Sequence, residues 1–256
     1  MQIIAIANNK GGVAKTTTAR NFAGVLVEQG KQVLLVDADD QGNLSYALNA
    51  PEDYAHSIGQ FLLVSPEQVR TWPYLTPEPG LSFLPSHEEL DEHLEQLRKK
   101  KNYRQLLRER LANVPATQFD YIIIDCPPNL TDGMTEAALI AADAFVVPVE
   151  PEPFAVRGLK KIMERAQELR AKHNPQLRFI GFVFTRFNAA LKGQLRQSMF
   201  AAVKAKYGED SVLPAIRQSV PVSEAHTARQ SVLTYAPDSA GAEDYRTLTT
   251  TILERL

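Results

Sequence analysis

Asn8-Asn9-Lys10-Gly11-Gly12-Val13-Ala14-Lys15-Thr16-Thr17-Thr18 is the stretch that decides how this chain is read. An isoleucine-rich apolar run, Met1 to Ala7, precedes it. Ala19, Phe22, Ala23, Leu26 and Val27 follow at helical spacing, and Gly30 closes the run. The order is strand, glycine turn, helix. Such a turn suits an anion. Glycines let backbone N–H groups converge, and the helix N-terminus adds the positive end of its dipole. Lys15 then reaches the β- and γ-phosphates of a nucleotide, and the Thr16 hydroxyl ligates Mg²⁺. Gly11, Gly12, Val13, Ala14 and Thr17 complete the expected nucleotide cradle. The competing reading is an ordinary Gly-Gly turn carrying two solvated lysines.

The common spacing G-x-x-x-x-G-K-[ST] is not met, because Asn9 and Ala14 stand at its two glycine positions. What is met is K-G-G-x-x-K-T, with a second lysine at Lys10. This stretch resembles the deviant Walker ATPases of the ParA/MinD family. The resemblance implies an α/β P-loop NTPase fold: one domain over residues 1–256, with a doubly wound, mostly parallel sheet flanked by helices. It also implies that Lys10 crosses a dimer interface to touch the nucleotide of the other subunit. Ala14 departs from the family's usual glycine. A methyl is tolerated there if the dihedrals are right-handed helical; otherwise nucleotide affinity suffers.

Two further strands end in carboxylates. Gln32 to Asp37 runs into Asp37-Ala38-Asp39-Asp40-Gln41-Gly42-Asn43, and Phe119 to Asp125 into Cys126-Pro127-Pro128. Ligands of open α/β sheets sit at the carboxyl edge, where these acids fall. The first loop resembles the family's D-x-D-P-Q-G-N, with Asp40 in place of proline. By resemblance, Asp37 lies near Mg²⁺ through water and Asp39 orients the attacking water. Asp125 has the form of a Walker B residue and would hold a water in the Mg²⁺ shell. The 126–128 loop, within reach of the γ-phosphate, is the natural switch. Lone Cys126 reads as a small packed residue.

The rest of the chain is read more coarsely. Residues 51–80 are punctuated by prolines, with a short helix at Ser57–Val64, and Leu81 to Pro85 is a strand. His87 to Leu111 reads as an exposed helix with Leu90, Leu94 and Leu97 on one stripe, and His87 and His93 as surface residues. Thr135 to Ala142 is a small-residue helix, Ala144 to Val149 and Arg178 to Phe184 are strands, and a long helix ends near Lys172. Glu150 to Leu159, Ser223-Glu224-Ala225 and Tyr235 to Tyr245 resemble further family segments. By analogy Arg186, just past a strand, touches the base. The final helix carries Tyr245, Leu248, Ile252 and Leu256 on one side, as for core packing.

Net charge is −2, but it is unevenly spread. Residues 151–256 hold 16 Lys+Arg against 10 Asp+Glu, and residues 1–150 hold 12 against 20. The window 169–208 has eight basic residues and no acidic one, which points to a polyanion face. No run of about 18 apolar residues exists, so no membrane span is expected. With one cysteine, no intrachain disulfide forms and a cytoplasmic protein is the simplest account.

Resemblance to ParA therefore implies an ATP-driven dimer that uses ATP and Mg²⁺. It binds nonspecific DNA in the ATP state, which places it on the nucleoid, and slow hydrolysis is stimulated by a ParB-like or other small partner to move cargo. Lys192, Arg196, Lys204, Lys206 and Arg217 are the DNA candidates. Two family arginines before S-E-A are replaced by Gln218 and Pro221. The chain starts at the phosphate loop, so no N-terminal operator-binding domain is expected. A MinD-like membrane switch needs a basic amphipathic C-terminal helix, and Thr249 to Leu256 offer only Arg255. An electron-transfer ATPase needs paired cluster cysteines. A metabolic ATP-dependent ligase on the same fold remains the other enzyme class.

Overall fold

Short runs such as Ile3 to Ile6, Val33 to Val36 and Ile122 to Ile124 are apolar at every position, the pattern of strands covered on both faces. The computed structural model describes residues 1–51, 54–87, 89–99, 101–130, 133–151, 155–187 and 194–256, without the side chains of 155–157 and 194–197. In chain order it shows β1 (Gln2–Ile6), α1 (Lys15–Glu28), β2 (Val33–Asp37), α2 (Asn43–Ala47), α3 (Ile58–Leu63), α4 (Pro66–Val69), β3 (Leu75–Glu78) and β4 (Leu81–Leu84). α5 (Leu90–Arg98), α6 (Leu106–Leu111), β5 (Tyr121–Asp125), α7 (Met134–Ala141), β6 (Ala144–Val149) and α8 (Ala155–Lys172) follow. The chain ends with β7 (Arg178–Phe184), α9 (Gln194–Tyr207), α10 (Val220–Thr227), α11 (Val232–Tyr235) and α12 (Ala240–Glu254).

Among the described residues, seven strands form one sheet in the order β3-β4-β2-β5-β1-β6-β7. All neighbours are parallel except β3, which runs antiparallel to β4 at the edge. Alternate side chains feed two cores. Ala5, Leu34, Val36, Ile122 and Ile124 face one layer, which holds α3 to α9. Ile4, Ile6, Val33, Leu35 and Ile123 face the other, built from α1, α2 and α10 to α12. This is the doubly wound α/β arrangement expected from the sequence.

The structure differs from the sequence reading mainly at 87–111. One helix was expected there. α5 instead stops at Arg98, and a 3₁₀ turn (Tyr103–Gln105) leads into α6. The stripe of Leu90, Leu94 and Leu97 is buried as expected. The break falls in the run of like charges from Arg98 to Lys101, where a continuous helix crowds cations. It lets Leu106, Leu107 and Leu111 turn onto the same core. His93 is half-buried, its Nδ1 2.5 Å from where a Cβ on Gly59 would sit.

Leu35 is fully buried at the centre of β2. Leu35→Ala should cost about 2–5 kcal/mol, read as a lower urea midpoint with an unchanged m-value.

Candidate nucleotide site

Three strand ends meet at the carboxyl edge. β2 and β5 pair in parallel with Asp37 opposite Asp125, and β1 lies on the other side of β5 with Ile6 opposite Asp125. The glycine turn leaves β1 at this point and α1 begins at Lys15. Gly12 adopts φ +76°, and a Cβ built there meets no atom within 4 Å. Thr185 on the β7 side donates its hydroxyl to the Val13 carbonyl at 3.2 Å, which ties the turn to the sheet.

Ala14 adopts φ 65°, ψ 34°, a left-handed conformation. Of the two alternatives read from the sequence, the strained one holds. The methyl costs about 1 kcal/mol against the Cβ-free glycine.

The electrostatics are those of acids crowded into a dry cleft. Asp37 is fully buried and Asp125 is 1% exposed. Asp37 Oδ2 accepts from both the backbone N–H and the hydroxyl of Ser45, each at 2.8 Å, and its Oδ1 accepts from the Asp39 N–H at 3.1 Å. Burial outweighs these bonds and pushes Asp37 up to about 7. Asp39 is pushed up to about 6, chiefly by burial, with the Gln41 N–H and Lys15 pulling the other way. Asp125 is raised well above the ordinary carboxylate range by burial and by the charge of Asp37, while the nearby Thr16 hydroxyl favours its charged form. Lys15 is 7% exposed and donates to the Lys10 carbonyl at 3.1 Å. Its ammonium pKa is lowered by burial, with Asp125 and Asp39 opposing. One lysine does not offset three buried carboxylates. A hard divalent cation fits this set of oxygens. Among the described residues no group of three or more His, Cys, Asp or Glu side chains forms an all-protein metal site.

A cavity of about 300 Å³ opens beside the turn, lined by Ala14, Thr17, Arg186, Gln218, His226 and Tyr245 among others. Its size falls at the low end of small-molecule sites. Arg186 stands at its mouth with φ 51°, and its guanidinium contacts Glu150 at 3.3 Å. A second cleft, about 590 Å³, borders Asp39, Asp40, Asp91, Glu95, Pro128 and Met134.

The site residues read from the sequence thus divide by place. Lys15, Thr16, Asp37, Asp39 and Asp125 come together, and Lys10 lies beside them through its carbonyl. Of the basic candidates, Lys204 pairs with Glu209 at 3.0 Å, and Arg217 grips Asp244 at 2.7 Å and Glu243 at 3.1 Å. The Lys206 ammonium lies 5.1 Å from the Tyr207 ring centroid. Lys192 and the Arg196 side chain lie outside the described residues. Sequence reasoning missed Ser45, whose double bond to Asp37 spans eight positions, and the cavity residues Gln218 and His226. No spacing signal marks any of the three.

A family model described as an AAA domain matches residues 1–179. The chromosome partitioning protein ParA of Caulobacter vibrioides is 34% identical over 259 residues, covering 100% of this chain and 95% of that protein. The chain belongs to the ParA/MinD superfamily of ATPases. Among solved structures of this fold, McdA from Cyanothece in complex with ATP is 25% identical, covers 100% of this chain and 96% of its own, and has a TM-score of 0.85. A Mycobacterium smegmatis protein described as cobyrinic acid a,c-diamide synthase, with bound ATP analogue and magnesium, is 30% identical, covers 99% and 95%, and has a TM-score of 0.83. The phosphate loop, the acid-tipped strands and the two cavities of this ParA-superfamily chain are therefore set in a fold that holds ATP and magnesium in its solved relatives.

Two predictions follow the geometry. Ala14→Gly should raise stability by about 1 kcal/mol and tighten nucleotide binding several-fold, measured by denaturant titration and by fluorescent-nucleotide titration. The second concerns pH. Asp37 titrates near 3.8 when unfolded and near 7 when folded. Between these values the folded state holds more protons, so this group's contribution to stability falls as pH rises. The metal-free protein should lose melting temperature from about pH 5 to pH 7.5 relative to an Asp37→Asn variant. Added Mg²⁺ and nucleotide should restore it at pH 7.5.

Proposed function

We propose that residues 1–256 work as one ATP-dependent dimerisation switch that binds nonspecific DNA in its ATP state and hydrolyses ATP to position or segregate a cargo. The observation that carries this reading is the convergence of Lys15, Thr16, Asp37, Asp39 and Asp125 at adjacent strand ends beside a K-G-G-x-x-K-T turn. ATP and Mg²⁺ are the cofactors. Thr16 would ligate the metal, with Asp37 and Asp125 acting through water. Asp37 suits that outer position because Ser45 and Asp39 already donate to its oxygens.

The chain's own groups supply the rest. Gly11, Gly12, Val13, Ala14, Lys15, Thr16 and Thr17 cradle the phosphates, and the 300 Å³ cavity beside Arg186 takes the nucleoside. Lys15 must leave the Lys10 carbonyl to meet the β- and γ-phosphates. Asp39, raised toward neutrality, stands on the open cleft where a water can be aligned with the γ-phosphate. Lys10 of a second copy would add a cation at that phosphate, so the nucleotide cements the dimer and its hydrolysis releases it. Turnover is slow until a ParB-like or other small partner stimulates it.

Lys192, Arg196, Lys204, Lys206 and Arg217 remain the proposed DNA contacts, through phosphates that carry no sequence information. Lys204 and Arg217 must first release their carboxylates. We place the protein in the cytoplasm, on the nucleoid when ATP-bound. A membrane-cycling role is disfavoured. α12 buries Tyr245, Leu248 and Ile252 in the core, and Arg255 donates to the Ile180 carbonyl at 3.1 Å. No described helix is long and apolar enough to cross a membrane. The Mycobacterium smegmatis neighbour favours a second reading, an ATP-dependent ligase using the 590 Å³ cleft for its other substrate. Nucleotide-dependent retention of random-sequence DNA separates the two.

Lys15→Ala should weaken nucleotide binding at least 100-fold and abolish the ATP-dependent dimer; an intact dimer in light scattering would refute the role. Asp39→Ala should keep ATP bound and the dimer trapped, with kcat lowered about 10²–10⁴-fold. Unchanged steady-state hydrolysis would remove Asp39 from the mechanism.

A further inference from the structure

We propose that Arg229, stacked on Tyr46, is the preorganised phosphate contact of this chain, held just past the helix that walls the nucleoside cavity. This rests on the DNA-binding reading above and names a contact that reading did not contain. The argument starts from pairing. Among the described cations of the C-terminal part, Arg186, Lys204, Arg217 and Arg246 each meet a carboxylate. Arg229, like Lys206 and Arg255, meets none among the described residues, and it alone of these three is held by both an aromatic face and a side-chain oxygen. Its guanidinium lies 4.0 Å from the Tyr46 ring centroid and donates to the Asn49 side-chain oxygen. Both partners are neutral, so the positive charge is positioned without being cancelled. Planar guanidinium stacked on an aromatic face is suited to a phosphate oxygen on its free edge.

The backbone is arranged to make this contact. α2 and α10 both end in left-handed residues, Asn49 at φ 54° and Arg229 at φ 57°. The Ala50 N–H returns to the Ser45 carbonyl at 3.0 Å, and the Gln230 N–H to the Ala225 carbonyl at 2.9 Å. Glycine is the usual residue at such a helix end. An arginine there carries strain that its packing against Tyr46 does not require, since Tyr46 is still 66% exposed. Strain kept at a half-buried cation stacked on an exposed aromatic marks a binding surface.

α10 links this surface to the nucleotide. Ser219, Val222 and His226 line the 300 Å³ cavity. Arg229 lies two residues past the C-terminal end of the same helix. A nucleoside in the cavity would fix α10 and with it the cation, which gives ATP-dependent DNA binding a physical route.

The test uses the full chain with Mg²⁺ and a nonhydrolysable ATP analogue, titrating random-sequence duplex DNA across salt. Arg229→Ala should weaken binding about 5- to 10-fold at 0.1 M salt. It should also make the slope of log affinity against log salt shallower by about 0.9 for each protomer's lost contact. Tyr46→Ala should weaken binding less and keep the slope. Arg229→Gly separates function from folding: relief of the left-handed strain should raise the melting temperature by about 2 °C while DNA affinity falls as in Arg229→Ala. Wild-type binding with an Arg229→Ala variant of the same affinity and slope overturns the inference. So does a variant that loses dimerisation or DNA-free hydrolysis while keeping DNA, which would assign the patch to a protein interface. If the wild type itself binds no DNA in either nucleotide state, the DNA reading fails and this one falls with it.

Discussion

Three carboxylates and one ammonium meet at one edge of the sheet, each less than a tenth exposed. Asp37 and Asp125 are side by side on parallel strands, Asp39 lies two residues on, and Lys15 enters from the first turn of α1. Burying a charge without compensation is costly, and the ordinary outcome is a shifted pKa. That outcome is seen at each of these groups: the acids rise and the lysine falls. The protein keeps this costly arrangement at one edge of an otherwise apolar sheet. A triphosphate with its metal relieves it, because the metal favours the ionised acids and the phosphates favour the ammonium.

The surrounding structure holds this cluster in place. Ser45 clamps Asp37 with two hydrogen bonds and passes a third contact on, its hydroxyl accepting from the Ser86 N–H at 2.8 Å. Thr135, at the start of α7, donates to the Pro127 carbonyl at 3.3 Å, joining the loop after Asp125 to that helix. The next residue, Glu136, is buried and accepts from the guanidinium of Arg165 at 2.8 Å, and it also pairs with Arg104. Displacement of the loop by a γ-phosphate would therefore be felt by α7 and by the segments its carboxylate holds. On the other face, α1 packs against α12, and the Asn21 side chain accepts from the Val232 N–H at 2.8 Å. The helix that follows the glycine turn is thus fixed by the last elements of the chain.

Two departures from the family pattern have different physical weight. Asp40 in place of proline leaves the loop formed, with the Gly42 N–H on the Asp39 carbonyl at 3.0 Å, but adds a further acid beside Asp39. Ala14 in place of glycine keeps a left-handed turn at a steric cost. The first changes the electrostatics around Asp39 and the second strains the glycine turn before α1.

The fold class was legible because periodicity reports burial. Strands covered on both sides read as unbroken Ile, Val and Leu, and the glycine turn after the first of them can be followed only by a helix. The acid-tipped strands were legible for a related reason, since a carboxylate ending an apolar run has no core role. What could not be read is whatever depends on distant segments meeting. The like charges from Arg98 to Lys101 broke a helix that local pattern made continuous. The dihedrals of Ala14 were undecided until the turn was closed by Val13 and Thr185. The partners of Arg217 and Arg229 lie on other segments, 27 residues away at Asp244 and 180 away at Asn49, so composition counted both as equal cations. Sequence alone determined which chemistry gathers at the sheet edge, because that chemistry is written in residues close together in the chain. Only tertiary packing decided which charges are cancelled, which backbone is strained and where the cavity beside Ala14 and Arg186 opens, because each of these is set by atoms that the chain order keeps apart.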